Sequence, residues 1–367
     1  MPKIIAFTRQ RHQSGKGNLQ GDVGTENLPE YAQPQEQERA DDGILVSVVV
    51  PTCGRPQLLS RCLVALILQR FDKRRFEIIV VDDASDENTR EVVARWATHA
   101  ERGGPSIGYI PSQGPHGPAA ARNRGWRAAR GSVIAFTDDD TVARIDWLEK
   151  ALRTFEANQA DAVWGRIVMP LHRTPTDYEL DAKGLERAEF VTANCLCRKA
   201  VLERLDGFDE RFRFAWREDT DLYFRLLDSS ARIVHAPAAV VVHPIRPAGW
   251  GVSLAQQKKV LFDALLFKKH PELYRKKIRA RPCWDYYVIV CALATWLPAV
   301  AFGAPRIAAA AGGIWALLTA RFCLKRLGPT VKTPSHIGEM IVTSALIPPI
   351  SVFWRLVGAV RFRTRFM

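Results

Sequence analysis

The amino-acid sequence predicts an α/β protein whose core is a mostly parallel sheet flanked by helices. Between Leu45 and Phe136, short apolar runs alternate with segments of helical periodicity, a pattern typical of parallel strands joined by right-handed crossovers. The apolar runs are rich in Val and Ile, which suits strands buried on both faces. Three consecutive aspartates, Asp138 to Asp140, follow the last of these runs and are expected just past its carboxyl end. In open α/β sheets this edge is where ligands bind.

The first part of the chain supplies the parallel strands. Apolar runs predict the strands, and segments with apolar residues on one side predict the helices between them. In chain order we expect a strand at 44–52, a helix at Pro56–Gln69, a strand at 76–85 ending in a turn, a helix at Asn88–Ala100, a strand at Ile107–Ile110, a helix at Ala119–Ala129 and a strand at Ser132–Phe136.

The part after the aspartates predicts further strands and helices. Its last helix should be amphipathic, with lysines on one face. In chain order we expect a helix at Asp146–Asn158, strands at Asp161–Met169 and Phe190–Cys197, helices at Lys199–Leu205 and Asp219–Leu227, strands at Ala231–His235 and Ala239–His243, and the amphipathic helix at 252–272.

Composition and charge narrow the class of protein. The seven cysteines form no CxxC pair, and the sequence shows no signal peptide, which indicates buried thiols in a reducing compartment. A net charge of +13 is compatible with nucleic-acid binding, but the basic residues cluster beside apolar segments. That arrangement indicates an anionic membrane surface and no nucleic-acid partner. The clustered cations are Lys258, Lys259, Lys268, Lys269, Arg275, Lys276, Lys277, Arg279 and Arg281, followed at the chain end by Arg355, Arg361, Arg363 and Arg365.

Three apolar segments follow the basic stretch. Tyr286–Gly303 and Ile307–Leu324 are each just long enough to cross a bilayer of roughly 30 Å, and the connection between them fits only a hairpin. A buried helical hairpin in a soluble protein is the alternative. Ile337–Gly358 is interrupted by Pro348 and Pro349 and ends in arginines, so we expect it to be broken there and to form an interfacial or re-entrant helix.

Residues at the predicted strand ends can form a metal and anion site. Acids fixed at one sheet edge, such as Asp138–Asp140, can hold a divalent cation and share it with a diphosphate. A solvated acidic turn or a helix N-cap would place acids there as well. Pro51 and Thr52 end the first strand with backbone groups free to meet a ligand, and Arg55 can reach a phosphate. Asp83 ends the second strand, where its carboxylate can accept from a base N–H or a ribose hydroxyl.

Two other regions carry candidate chemistry. The loop that reads GPHGPAAARNRG leads into a helix N-terminus, a natural anion site, and its lack of a GxGxxG pattern argues against a dinucleotide oxidoreductase. Asp219 begins a helix beside Trp216, where partial burial would raise its pKa towards that of a general base. The alternative for Asp219 is an ordinary acid at a helix start. His243, directly after a strand, is either a metal ligand or a satisfied surface residue.

With the strands placed, the chain resembles the glycosyltransferase family 2 proteins, which have the GT-A fold. Four blocks between Val46 and Leu226 carry the resemblance, in the family's order and spacing. They read VSVVVPTCGRP, FEIIVVDDAS, GPAAARNRGWRAARGSVIAFTDDD and TANCLCRKAVLERLDGFDERFRFAWREDTDLYFRL. The apolar C-terminal region lies outside the shared domain.

The resemblance implies a nucleotide site. It gives the uracil-type contact to Asp83. The other residues that it implies for nucleotide binding are Pro51, Thr52, Arg55, Arg122, Asn123, Asp138 and Asp139.

The resemblance also implies metal ligands and a catalytic base. The family's DxD pattern maps onto Asp138 and Asp140, and Asp139 leaves the register open by one residue. Asp140 is favoured as a direct ligand of Mg²⁺ or Mn²⁺, and His243 corresponds to a metal-binding histidine. The ED motif maps onto Glu218 and Asp219, of which Asp219 is expected to be the general base.

The implied activity is metal-dependent, inverting transfer of a single sugar. The donor would be a UDP-, GDP- or dTDP-sugar, and the acceptor a hydroxyl on a lipid-linked or glycan precursor. The sequence lacks the QxxRW motif of processive polysaccharide synthases, which favours single-sugar transfer. The alternative is a membrane-tethered module that binds a nucleotide or nucleic acid without turnover. The ordered acids argue against this alternative, because such a module needs no base.

The expected domain organisation follows from these assignments. The catalytic GT-A domain would face the cytoplasm at the inner membrane, because nucleotide sugars are cytosolic and the cations flank the hairpin on that side. The expected parts are a disordered tail at 1–43, the catalytic domain at 44–250, a basic amphipathic linker at 251–282, a transmembrane hairpin at 283–327 and an interfacial or re-entrant helix with a basic C-terminus at 328–367.

Overall fold

A computed structural model describes residues 5–6, 43–171 and 173–366 of the chain. Strand β1 (Ile5–Ala6) pairs with a strand of the main sheet. The tail predicted at 1–43 therefore contains one short strand, and nearly all of its other residues lie outside the described part.

The first part of the fold follows the predicted alternation closely. Strand β2 is parallel to both β3 and β5, and β3 is parallel to β4. The residues of β2, β3 and β5 are buried throughout. The elements are β2 (Val46–Thr52), α1 (Pro56–Ile67), β3 (Phe76–Asp82), α2 (Glu87–Ala100), β4 (Ser106–Pro111), α3 (Pro118–Ala128) and β5 (Val133–Phe136).

The second part completes the sheet with shorter strands. Two 3-10 turns, at Lys183–Arg187 and Thr192–Asn194, lie between its elements. The elements are β6 (Val142–Ala143), α4 (Trp147–Ala157), β7 (Ala162–Val168), α5 (Asp177–Ala182), β8 (Cys195–Arg198), α6 (Lys199–Arg204), α7 (Glu218–Asp228) and β9 (Ile233–Val242).

Two strand predictions in this region were wrong in their extent. The strand expected at Phe190–Cys197 is confined to β8, because Phe190 has a positive φ of 53° and a 3-10 turn follows it. The two strands expected at Ala231–His235 and Ala239–His243 form the single strand β9, which shifts register against β7 at Gly165 and Arg166.

In the described residues the strands form one mixed sheet of order β1-β4-β3-β2-β5-β8-β7-β9-β6. Strand β8 is antiparallel to both β5 and β7, so the parallel half of the sheet ends at β5. Helices cover both faces of the sheet and form separate apolar cores on its two sides. The carboxyl ends of β2, β3 and β5 lie at one edge, where the sequence predicts the site.

The long amphipathic helix expected at 252–272 is instead a broken segment. It consists of α8 (Val252–Gln256), a 3-10 turn (Gln257–Val260) and α9 (Leu261–Lys269), and α10 (Pro271–Lys277) follows. The residues from Leu261 to Leu266 are all buried in the core on one side of the sheet. This segment therefore packs as part of the α/β body formed by β2 to β9 and their helices, which is called the catalytic body below. The predicted basic character is confined to Lys258, Lys259, Lys268 and Lys269.

Three long apolar helices complete the described chain. They are α11 (Trp284–Ala301), α12 (Pro305–Leu327) and α13 (Pro334–Arg361), and each is long and apolar enough to cross a membrane. Helices α11 and α12 pair as the predicted hairpin, with Trp296 stacked on Trp315 at 5.5 Å between ring centroids. The break expected at Pro348 and Pro349 is absent, because α13 continues through both prolines.

Close packing of α3 on the sheet gives a stability prediction. A Cβ added at Gly125 would lie 2.3 Å from Cγ1 of Val49, which has no flexible end to move aside. Gly125→Ala should therefore lower the free energy of unfolding by about 1–3 kcal/mol. Thermal unfolding in detergent measures this, with Gly184→Ala as the control because open space surrounds Gly184. Equal midpoints for the two variants would contradict the packing described here.

Candidate active site

The three consecutive aspartates after β5 have two kinds of surroundings: Asp139 is paired inside the protein, and Asp138 and Asp140 lie near His243. Asp139 points into the protein and is fully buried, where Oδ2 accepts from the Thr52 hydroxyl at 2.6 Å and Oδ1 pairs with Arg55 at 2.8 Å. Burial raises the pKa of Asp139 to about 6, against the opposing effects of Arg55 and Thr52. The Asp139 side chain is therefore used within the protein, and its expected nucleotide contact stays a prediction.

Asp138, Asp140 and His243 come together as the sequence suggested. One ligand atom of each lies within 4.8 Å of the others, although His243 follows β9 and the aspartates follow β5. The Nδ1 atom of His243 is buried without a hydrogen-bond partner among the described residues. Two carboxylates and an imidazole form a donor set that suits Mn²⁺ or Mg²⁺, so these residues fit the implied metal.

Asp140 also lies close to two arginines and His243. Its carboxylate lies 3.6 Å from Arg55, 3.1 Å from Arg246 and 3.5 Å from His243. Sequence reasoning missed Arg246, which follows His243 by three residues and is half exposed. The only available signal was its position in the HPIR segment directly after a candidate metal ligand.

Arg122 joins the aspartates to the start of α7. Its guanidinium is buried and donates to Asp138 at 2.8 Å and to Glu218 at 3.0 Å. Burial lowers the pKa of Arg122, but the two carboxylates outweigh it and raise that pKa above its ordinary value. The structure therefore shows Arg122 linking Asp138 to Glu218 of the ED motif. Its expected direct nucleotide contact stays a prediction.

Asn123 does not lie at the cleft either. Its Nδ2 donates to the Phe208 carbonyl at 2.8 Å, and its Oδ1 accepts from the Phe208 amide and the Trp126 indole, both at 2.8 Å. The side chain is almost fully buried, and its polar atoms are used to fasten α3 to the turn before α7. The expected nucleotide contact of Asn123 stays a prediction, and the structure shows its side chain engaged with Phe208 and Trp126.

Glu218 and Asp219 begin α7 beside this network. Arg217, which precedes them, has a positive φ of 75° and is held by Asp263 at 2.7 Å. Burial raises the pKa of Asp219, and burial with the charge of Asp219 raises the pKa of Glu218 to about 7. Asp219 is half-buried, and its Oδ1 accepts from the Thr220 amide at 2.6 Å. The pair is therefore placed to take up a proton near neutral pH.

The carboxyl ends of β2 and β3 form the opposite wall. Asp83 Oδ2 accepts from the Gly117 amide at 2.8 Å, which ties β3 to the loop before α3. The Thr52 carbonyl accepts from the Asp83 amide at 2.8 Å, and both Pro51 and Thr52 are buried in the sheet. The backbone groups expected to be free at Pro51 and Thr52 are thus largely used within the sheet. Asp83 remains the polar group of this wall that borders the cleft.

Comparison with known protein families identifies two overlapping matches. The profile of glycosyl transferase family 2 matches residues 47–205, and that of glycosyl transferase family group 2 matches residues 133–356. The second match covers more than half of the 367 residues and includes α11, α12 and most of α13.

Individual relatives are distant and differ in length from this chain. The glycosyltransferase AglE of Haloferax volcanii is 24% identical over 213 residues, which cover 56% of this chain and 68% of that protein. The pre-mycofactocin glycosyltransferase of Mycobacterium tuberculosis is 30% identical over 219 residues, which cover 55% of this chain and 43% of that enzyme. The chain thus spans two thirds of the first relative and less than half of the second.

A solved structure shares the fold. It is a mannosyltransferase from Pyrobaculum calidifontis in complex with GDP-Man and Mn²⁺, 18% identical, with a TM-score of 0.51 over 87% of this chain and 86% of that one. The shared fold confirms the GT-A architecture predicted from the sequence. The two family profiles together match residues 47–356, and they show that this chain belongs to glycosyltransferase family 2.

Proposed function

We propose that the protein is a metal-dependent, inverting glycosyltransferase that moves one sugar from a nucleoside-diphosphate donor to a hydroxyl acceptor. The observation that carries this proposal is the continuous network from the Asp138, Asp140 and His243 cluster through Arg122 to Glu218 and Asp219. In such a network a donor diphosphate held near the cluster would lie beside Asp219, whose pKa burial raises. The acceptor would be a membrane lipid or a glycan precursor of the cell envelope.

The donor side of the cleft has the groups that a nucleoside diphosphate needs. Asp83 lies where a base or ribose would meet β3, and Arg55 and Arg246 both face Asp140. A divalent cation held by Asp138, Asp140 and His243 would neutralise charge on the leaving diphosphate. The structural relative bound to GDP-Man and Mn²⁺ supports this class of donor and metal, and the proposal extends to UDP- and dTDP-sugars.

The acceptor side provides the base. The acceptor hydroxyl gives its proton to the Asp219 carboxylate while its oxygen bonds to the anomeric carbon of the sugar. The bond from that carbon to the diphosphate oxygen breaks on the opposite face, so the configuration inverts. The raised pKa of Asp219 makes it a stronger base than an exposed aspartate. Glu218 is held by Arg122, which leaves Asp219 as the acid that is free to meet the acceptor.

The location follows from the charges beside the hairpin of α11 and α12. Cations at Arg275–Arg281 precede α11 and Lys325 and Arg326 end α12, whereas Arg306 lies at the turn between the helices. The positive-inside rule then keeps the catalytic body on the cytoplasmic side of the inner membrane and the turn on the outside.

Removing the base tests the chemical step. Asp219→Asn should lower kcat at least about a hundredfold, because the acceptor hydroxyl loses its proton acceptor, while binding of the nucleoside diphosphate stays nearly unchanged. Calorimetric titration with UDP and GDP measures the binding. Asp206→Asn is the matched control, since its carboxylate is 92% exposed and pairs with Arg127, outside this network. Turnover by Asp219→Asn within about tenfold of the wild type would exclude Asp219 as the base.

Removing a metal ligand tests the donor site. Asp140→Ala should lose both the dependence on Mn²⁺ and most of the donor affinity, because the diphosphate would lie beside acids with no cation between them. Direct Mn²⁺ binding, measured by electron paramagnetic resonance, gives a readout separate from turnover. Asp228→Ala is the control for loss of an ordinary surface carboxylate, which is 60% exposed. Full activity of the wild-type protein in EDTA would contradict metal dependence.

The orientation of the hairpin can be tested by labelling in intact cells. With exposed native cysteines replaced, Arg306→Cys should react with a membrane-impermeant maleimide from outside, because it lies at the outer turn. Lys325→Cys should react only after the cells are opened, since it lies at the cytoplasmic end of α12. Protection of Arg306→Cys together with external labelling of Lys325→Cys would show the reverse orientation.

A further inference from the structure

The exposed face of helix α13 is apolar, whereas its buried face is mixed. Between residues 336 and 360, every exposed side chain is apolar: Ile341, Val342, Leu346, Phe353, Leu356 and Val360. The buried face combines polar side chains, His336, Thr343, Ser344, Ser351 and Arg355, with apolar ones, Met340, Ile347, Pro348 and Val352. A helix on a water-exposed protein surface carries polar side chains on its exposed face. The exposed face of α13 therefore requires an apolar covering.

Both ends of α13 are attached to the catalytic body. Near its start, Glu339 accepts from the Gly251 amide at 2.8 Å, and the Ser335 carbonyl accepts from the Trp250 indole at 3.3 Å. Near its end, Gly358 packs so closely on Leu261 that an added Cβ would lie 2.6 Å from the Leu261 carbonyl oxygen.

These attachment points exclude a transmembrane course for α13. Ser335 and Gly358 are roughly 35 Å apart along the helix, which exceeds the hydrocarbon thickness of a bilayer. A spanning helix would carry one of these ends to the far side of the membrane. In that case the catalytic body could contact only one end of α13, whereas the structure shows contacts at both ends. A re-entrant helix would bury its middle in the bilayer, yet the middle of α13 packs on the protein.

The transmembrane hairpin meets α13 near the middle of that helix. Arg326, at the end of α12, donates to the hydroxyls of Thr343 and Ser344 at 2.8 and 3.0 Å. Exposed cations lie beyond both ends of α13, with Lys332 before it and Arg361, Arg363 and Arg365 at and after its end. The hairpin thus contacts the buried face of α13, and the exposed apolar face is flanked by cations that suit anionic lipid headgroups.

We propose that α13 lies flat in the cytoplasmic surface of the membrane, with its exposed apolar face in the boundary between headgroups and acyl chains. The occupant of that face is the bilayer itself, because α13 is joined to the end of α12, a helix long and apolar enough to span a membrane, and exposed cations flank the face. The helix is then a membrane-docking surface of the catalytic body, in place of a third span.

This placement also names the class of acceptor, and that part rests on the proposed function. Arg326 pairs with Asp177 of α5 at 2.7 Å, and Glu339 holds Gly251 at the end of the segment that follows His243. Asp177 follows β7 and Gly251 follows β9, and these two strands pair up to Val168 and Val242, next to His243. The contacts of α13 and α12 therefore hold the stretches after both strands at the proposed membrane surface. An acceptor carried by a membrane lipid would reach Asp219 there without leaving the bilayer.

Depth measurements test the docking surface. Nitroxide labels at Val342, Leu346, Phe353 and Val360, one at a time in vesicles of phosphatidylethanolamine and phosphatidylglycerol, should all report the same shallow depth. A depth that rises steadily from Val342 to Val360 would show a span and overturn the proposal. Deep burial of Leu346 and Phe353 alone would show a re-entrant helix, and protection without lipid contact would show a second copy or a partner protein. Either result would also overturn it.

The contact of Glu339 with Gly251 tests the link to the acceptor. With a total membrane lipid extract as acceptor and a labelled nucleotide sugar as donor, Glu339→Ala should raise KM for the extract about tenfold. Release of nucleoside diphosphate with water as acceptor should stay within about twofold, and Glu339→Gln should restore the wild-type KM because its amide oxygen still accepts. Glu272→Gln, an exposed acid on α10, is the control.

The two proposals fail in different ways. If the wild-type protein releases no nucleoside diphosphate from any nucleotide sugar, the proposed function is wrong, and the depth profile still decides the docking surface. If the donor is cleaved but Glu339→Ala leaves KM for the extract unchanged, the positioning role of α13 is wrong while the proposed function stands.

Discussion

The site depends on one buried guanidinium, that of Arg122. A buried cation is costly unless carboxylates pair with it, and here Asp138 and Glu218 come from two different parts of the chain. The pairing therefore fixes α7 against the end of β5, because moving either carboxylate away would leave Arg122 buried with an incomplete set of partners. Asn123, the next residue on α3, adds hydrogen bonds to the turn at Phe208. Together the two residues make α3 the element that holds the cluster of Asp138, Asp140 and His243 against the start of α7, where Asp219 lies.

The sequence predicts well the features that depend on local pattern. The strands from β2 to β5, the helices between them and the position of the aspartates all follow from short apolar runs and their polar ends. The proximity of Asp138, Asp140 and His243 was also expected. Only the family resemblance, however, indicated that His243 would lie near the two aspartates. Local pattern was weaker at β8 and β9, where a positive φ at Phe190 and a register shift at Gly165 alter the strands. Such irregularities depend on pairing across the sheet.

The direction of a side chain could not be read from the sequence in the same way. Asp139 and Asn123 lie in the motifs that the family resemblance indicated, yet the side chains of both point into the protein. Asp139 is bound by Thr52 and Arg55. Asn123 is bound by the backbone of Phe208. Arg246 illustrates the reverse case, since it carries no motif of its own but faces Asp140. The course of α13 was likewise hidden, because two prolines normally end a helix and only the packing of its buried face on the catalytic body shows that it continues.

Charge distinguishes the two ends of the network. The carboxylates of Asp138, Asp139, Asp140, Glu218 and Asp219 lie among the guanidinium groups of Arg55, Arg122 and Arg246. Burial raises the pKa of Asp219, and burial together with the charge of Asp219 raises the pKa of Glu218. At the other end Arg122 outweighs the effect of burial and holds the pKa of Asp138 below its ordinary value. The same buried guanidinium therefore favours the ionised carboxylate beside His243, while the acids at the start of α7 keep the greater affinity for a proton.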